Sequence, residues 1–406
     1  MAALAFLALI LWALGCAQRG VLKIAWSPLY WPFLAFLLLA VVQFFAGFTI
    51  DRVATRESLL KIVTDLVFFF LAGQLLNAQP ENGRALGRLG LVVMLLAFAL
   101  SVLALAQFFT SPHVIYWRVK PAVAWVFGPY VNHNHFGGLM EMLIPISAAY
   151  VFSRTSRSVA RSVLWILLAL PLVSVLFSGS RGASGALLVE GLLFGFIVVS
   201  KGPRTLRRTA VFSGVAAAGI AIGIVLWTNS GHLPGRIMAV LQPNQYVWDE
   251  VSDRIQVGKT AIRIAKSHPG IGVGLGCFEY AFPQYATFAT DMHWTHVHDD
   301  YLEILAETGL PGGLVLVVAL VFFFRLAFRH LEERLRHESG WIQVGAAVAC
   351  VGLLFHSFLD FNLRIPANAA WFVVCLAIVV HPRSSPGNIR KVVRVSSPER
   401  NGGFLT

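Results

Sequence analysis

Within residues 293–298 the chain places three histidines, His293, His296 and His298, and continues as Asp299-Asp300-Tyr301-Leu302. Imidazole titrates near neutral pH, so a histidine in such a run can take a proton from a weak nucleophile such as a hydroxyl. The same spacing also admits a metal site. A cation stands upstream. Ser252 to Ser267 reads as a helix at about 100° per residue, with Val257, Ile264, Ala261, Ala265, Ile262 and Ile255 on one apolar arc and Lys259, Arg263 and Lys266 opposite. Arg254 falls in the middle of that arc. Its head must therefore point toward protein or the membrane boundary, where a guanidinium needs an anionic partner.

Three further polar features could join this pair. Tyr130-Val131-Asn132-His133-Asn134-His135 precedes an apolar run, and Asn132 or Asn134 can contact a ligand or simply cap the helix. Ser178-Gly179-Ser180-Arg181-Gly182 is a tight turn whose Arg181 can hold an anion or snorkel at a helix end. His356-Ser357-Phe358-Leu359-Asp360, followed by Asn362, Arg364 and Asn368, sets a histidine and a carboxylate at i and i+4, where they can serve a substrate or pair with each other. Gly270, Gly272, Gly274 and Gly276 suggest a phosphate loop only superficially. The spacing is not Gly-x-Gly-x-x-Gly, and a tight backbone turn explains them better.

The elements that must position these residues are membrane spans. The chain is 57% hydrophobic and 13% charged, against about 25% charged in soluble domains. Apolar runs of about 20 residues recur, each long enough for a bilayer core of about 30 Å. They fall near 2–16, 26–48, 58–77, 88–109, 136–153, 161–178, 183–200, 210–228, 310–328, 341–358 and 367–381. The fold expected is an all-α polytopic membrane protein with about 11–12 transmembrane helices and one large helical external loop over 229–309. Residues 1–382 form the membrane domain, and 383–406 a basic, disordered cytoplasmic tail. The first apolar run lacks a positive leader and reads as a retained helix.

Orientation follows from the basic loops. Arg19/Lys23, Arg84/Arg88, Arg154/Arg157/Arg161, Lys201 to Arg208, Arg325 to Arg336 and the tail fall on one side of alternating spans, which the positive-inside rule makes cytoplasmic. Arg52, Arg56 and Lys61 are the exception, partly balanced by Asp51 and Glu57. All the polar features above then face outward. The net charge of +12 is explained by those loops, and no basic patch interleaved with aromatics points to nucleic acid. Of the four cysteines only Cys277 lies in the large loop, so no disulfide framework is implied there.

The motifs resemble those of the O-antigen ligase and O-antigen polymerase superfamily of bacterial inner-membrane glycosyltransferases. The matching pieces are Gly128-Pro129-Tyr130 to Asn134, the turn Ser178 to Gly182, Arg254, His268-Pro269-Gly270 to Phe278, His298-Asp299-Asp300-Tyr301-Leu302 and Glu307-Thr308-Gly309-Leu310-Pro311-Gly312. Together they cover about residues 120 to 380. The family usually has Asn after the histidine, where this chain has Asp299.

The resemblance implies a glycan donor on undecaprenyl diphosphate and a hydroxyl acceptor on a lipid A core, a growing polysaccharide or a protein. It places the reaction at the outer face of the cytoplasmic membrane, among membrane lipids. It implies Arg181 and Arg254 on the diphosphate, His298 on the acceptor hydroxyl, and no metal or other cofactor. Asn132, Asn134, Asp299, Tyr301, His356 and Asp360 are the candidate substrate-binding residues. Trp248, Phe278, Tyr280, Phe282, Tyr285, Phe288 and Trp294 can stack on sugars or form an interfacial belt. The alternative is a small-anion or bicarbonate-type transporter, which asks for ionisable residues inside the spans. Asp65 and Glu190 are the main ones there, with Glu141 near an end.

Overall fold

In a bilayer every backbone polar group must find a partner within its own segment, so long apolar runs fold as helices. The computed structural model describes residues 1–78, 84–111, 113–121, 125–154, 159–202, 245–290, 292–381 and 392–394. The helices are α1 (Ala2–Arg19), α2 (Tyr30–Ala46), α3 (Arg52–Asn77), α4 (Arg84–Thr110), α5 (His133–Ser153), α6 (Val159–Ser178) and α7 (Arg181–Lys201). They continue as α8 (Gln245–Ser267), α9 (Phe278–Tyr285), α10 (Asp300–Ala327), α11 (Leu331–Arg334), α12 (Glu338–His356) and α13 (Pro366–Val380). Seven are long and apolar enough to cross a membrane, and Tyr30–Ala46, Val163–Ser178 and Pro366–Val380 are shorter apolar helices. These match every expected span but 210–228, which lies outside the described residues.

One departure from an all-helical chain is a short antiparallel pair, Val21–Lys23 with Val392–Arg394. The rest of the expected disordered tail lies outside the described residues. The expected start of a span at 310 coincides with a break inside α10. Gly309 takes φ 65° and ψ −164°, so residues 300–308 form a separate limb above the membrane-crossing part.

The centre of the bundle is α5 against α12, both almost wholly buried. Small residues let them approach closely. A Cβ on Gly345 would strike the Pro145 carbonyl at 2.7 Å.

The ends of the helices sort into two sets. At one end Arg154 pairs with Glu338 at 2.6 Å and Lys201 with Glu332 at 2.7 Å, all from the expected basic loops or their neighbours. At the other end lie the polar features and the glycine run. Ile50 donates to the Val273 carbonyl at 3.0 Å, and the Gln43 amide donates to Ile271 and Glu307 carbonyls at 2.6 and 2.7 Å. The glycine run is therefore a close-packed joint between the α2–α3 turn and the upper limb of α10.

Gly272 shows why that joint needs glycine. Its φ is +73°, and a Cβ would run into the Glu307–Thr308 backbone. Gly272→Ala is expected to cost at least about 1–3 kcal/mol, the range of one strained residue. Gly270→Ala, with nothing within 4 Å of its Cβ position, is expected to change stability by less than about 0.5 kcal/mol. Thermal unfolding of the two purified variants checks the difference.

Candidate active site

The site is assembled around the turn that leaves α12, residues His356 to Phe361. Ser357, Phe358 and Leu359 turn back toward the bundle rim, with Leu359 and Asp360 amides both donating to the His356 carbonyl. Each polar feature of the sequence meets this turn or its immediate neighbours.

His298 comes first. It precedes α10 and sits at φ +60°, an uncommon conformation for a non-glycine residue and a cost the surrounding structure must hold. Asp299 follows as the N-cap, its carboxylate accepting from the Tyr301 and Leu302 amides at 3.0 Å. Burial raises the Asp299 pKa against those two hydrogen bonds. The cap and the left-handed turn aim the imidazole at Asp360, with Nδ1 3.1 Å from Oδ1. The side chain of Asp360 is buried, and that of His298 remains 18% exposed.

Burial alone would lift the Asp360 pKa. The hydrogen bond and charge of His298, then the charges of Arg254 and His356, outweigh it and hold the carboxyl well below its ordinary range. Asp360 is thus a fixed anion that orients one ring nitrogen and leaves Nε2 available.

Arg254 lies on the same turn. Its Nη1 donates to the Leu359 carbonyl at 2.9 Å, so the guanidinium faces the protein. The expected arc of α8 needs one correction. Val257, Ala261 and Ile264 are buried with Arg254 at their edge, whereas Ile255 and Ile262 are exposed on the same side as Lys259 and Lys266, which are not opposite them. Arg263 does not face open water either, because it donates to the Tyr285 carbonyl at 3.0 Å.

Arg181 is the first residue of α7. Ser180 caps that helix through Ala183, and Gly179 takes φ +73° to make the turn. The exposed guanidinium therefore adds to the positive end of a helix. Gly182, next along, packs directly on the His356 ring, where any side chain would collide. His356 is fully buried and pairs through Nδ1 with Glu141 at 2.9 Å, so its side chain does not pair with Asp360.

The Tyr130–His135 run joins from below. Asn132 caps α5 by accepting from the Asn134 amide at 2.8 Å. The tie to the site runs through other residues. Tyr130 donates to Asn368, and Asn368 donates to the His135 carbonyl at 2.9 Å and to Asn362 at 3.0 Å. The Phe361 ring then contacts His135, His296 and His298 with centroids 4.9, 4.3 and 4.8 Å away. The Tyr301 hydroxyl donates to the Leu354 carbonyl at 2.5 Å and its ring packs at a tilt against Phe358, which fixes α10 to α12.

A second buried network supports the histidine run; the sequence named its arginine, Arg364, among the polar residues after Asp360 but not its carboxylate Glu303. Glu303 accepts from His296 Nδ1 and the Val297 amide, each at 2.8 Å, and pairs with Arg364 Nε at 3.2 Å. Arg364 reaches Glu307 as well, at 2.7 Å. Burial would lower the Arg364 pKa, but the carboxylates of Glu307, Glu303 and Asp300 raise it, so the cation is secure. The available signal was the spacing Asp299, Glu303, Glu307 on one helical face. The three histidines thus each engage a different carboxylate: His293 takes Glu279, His296 takes Glu303 and His298 takes Asp360. Among the described residues no group of His, Cys, Asp and Glu converges as metal ligands would.

No curated protein matches the chain. A family model described as O-antigen ligase matches residues 166–317, a stretch that contains Arg181, Arg254, His298, Asp299 and Tyr301 and ends before His356 and Asp360. The match supports the resemblance carried by the motifs. Over that stretch this multi-pass membrane chain is similar to the O-antigen ligase family.

Proposed function

We propose that the protein transfers a glycan from undecaprenyl diphosphate to a hydroxyl acceptor at the outer face of the bacterial inner membrane. The acceptor is a lipid A core, a growing polysaccharide or a protein. The observation that carries this reading is the contact of His298 with Asp360, beside Arg254 on the Leu359 carbonyl. The His298 Nε2 takes the acceptor proton as the acceptor oxygen bonds to the sugar carbon. The bond from that carbon to the diphosphate oxygen breaks, and the electron pair leaves with the diphosphate. Arg254 and Arg181 offer planar, permanently charged donors to that leaving group. The direct test is release of polyprenyl diphosphate from a glycan donor by the purified protein in nanodiscs. A donor that remains intact while the acceptor is present in excess rejects the proposal.

Two observations support the sidedness. The Val21–Lys23 strand pairs with Val392–Arg394, joining two segments assigned to the cytoplasm. The Arg154–Glu338 and Lys201–Glu332 pairs join others. In cells with a permeabilised outer membrane, an impermeant thiol reagent should label Met292→Cys and spare Arg329→Cys, both placed in a background without the native cysteines. The reverse pattern would invert the orientation and remove the site from the periplasm.

Transfer is also expected to survive exhaustive chelation. The carboxylate partners of the three histidines differ, and the two arginines supply the positive charge that a divalent ion would bring. Activity lost with EDTA and restored by a stoichiometric divalent ion would contradict this.

A further inference from the structure

Helix α8 carries a second stripe that the site does not use. Ile255, Lys259, Ile262 and Lys266 follow at spacings that keep them within about 60° of one another. All four are exposed, Ile255 by 53% and Ile262 by 38%. The far side of the same helix is buried through Val257, Ala261 and Ile264 against Phe278, Ala281 and Ala306. Two exposed isoleucines interleaved with two lysines form neither a core face nor a water-solvated face. Long lysine stems can lie along apolar surface while their ammonium groups reach upward, which suits the boundary between acyl chains and headgroups.

The position of α8 provides an independent reason. The loop that ends the helix is tied to the top of a membrane span, where the Leu310 amide donates to the Pro269 carbonyl at 2.9 Å. Leu310 and Leu314, at the start of that span, are each 65% exposed, as side chains facing lipid are. The stripe therefore ends where the lipid-facing surface begins.

We propose that the Ile255–Lys266 stripe is a docking surface for anionic phospholipid in the leaflet bordering the site. Ile255 and Ile262 enter the acyl boundary, and Lys259 and Lys266 bind headgroup phosphates. Each lysine near an anionic surface strengthens such binding about fivefold. The contact sets the depth of α8 and, through its other face, the height at which Arg254 stands above the bilayer. It rests on the membrane setting of the chain and uses no property of glycan transfer.

The test uses the full chain in nanodiscs, with an environment-sensitive fluorophore on Ile255→Cys or Ile262→Cys and brominated acyl chains as quencher. Both labels should be quenched in phosphatidylcholine. Quenching should deepen when about a third of the lipid is phosphatidylglycerol, and about 0.5 M KCl should remove that gain by screening. Lys259→Gln with Lys266→Gln should lose most of the gain as well. Labels that escape quenching in both lipids overturn the docking surface. Quenching that ignores lipid charge, salt and the lysine replacements overturns the headgroup assignment. The donor plays no part, so neither outcome depends on whether the proposed reaction is correct.

Discussion

Replacing His298 by alanine is expected to slow glycan transfer by about 10²–10⁴-fold, the usual contribution of a positioned general base. Donor affinity should change little, because the imidazole is directed at Asp360 and the acceptor rather than at the diphosphate. Asp360→Asn separates orientation from charge. The amide oxygen can still accept from Nδ1, so turnover should lie between those of the wild type and His298→Ala. Asp360 is held well below the ordinary carboxylate range, so the asparagine variant removes a negative charge while keeping an acceptor. The measurement is initial rate for the three proteins, alongside donor binding. Near-wild-type turnover for His298→Ala would remove the base from the mechanism. Wild-type turnover in Asp360→Asn would reduce Asp360 to a structural partner.

How much of this site could be read from the chain depends on the distance over which each contact acts. Local signals were legible. The amphipathic pattern turned Arg254 toward protein or the membrane boundary, of which the structure shows a protein carbonyl, and the small residues of Ser178 to Gly182 marked a turn that does start a helix at Arg181. The span expected from 310 meets the break at Gly309 because Gly-Leu-Pro-Gly cannot continue a regular helix.

Pairings across the fold were not legible. His356 and Asp360 are a good i, i+4 pair on paper, yet each turns to a partner far away in sequence, Glu141 and His298. Helical spacing says which residues can meet within one element and nothing about what a neighbouring helix presents. The exposed Ile255 and Ile262 mark a similar boundary. An apolar arc shows that a face avoids water, and only the packed structure separates protein from lipid as the reason. Asp299, which stands where the family usually has Asn, acts as a helix cap, a role that either side chain can fill.

Arg254→Ala is the second large effect, expected to lower turnover by about 10²–10³-fold, as loss of one preorganised charge contact does. The guanidinium has Nη1 on the Leu359 carbonyl, which fixes its plane one residue from Asp360. A group held this way needs little rearrangement when negative charge grows on a departing diphosphate, and that preorganisation gives the contact its value. Arg254→Lys keeps the charge but loses the planar fork. A lysine ammonium cannot hold the Leu359 carbonyl and present two parallel donors to a phosphate together. Partial recovery is therefore expected from lysine, with turnover between those of the alanine variant and the wild type. Both variants should insert and fold, since Arg254 stands at the rim of the bundle rather than in its centre. The experiment is a transfer assay paired with donor binding on purified protein. A weakened donor affinity assigns Arg254 to the ground state, and an unchanged affinity with slower turnover assigns it to the departing diphosphate. Unchanged affinity and unchanged turnover in Arg254→Ala would leave it as a residue that fastens α8 to the turn after α12, and the anion site would then rest on Arg181 and the end of α7 alone.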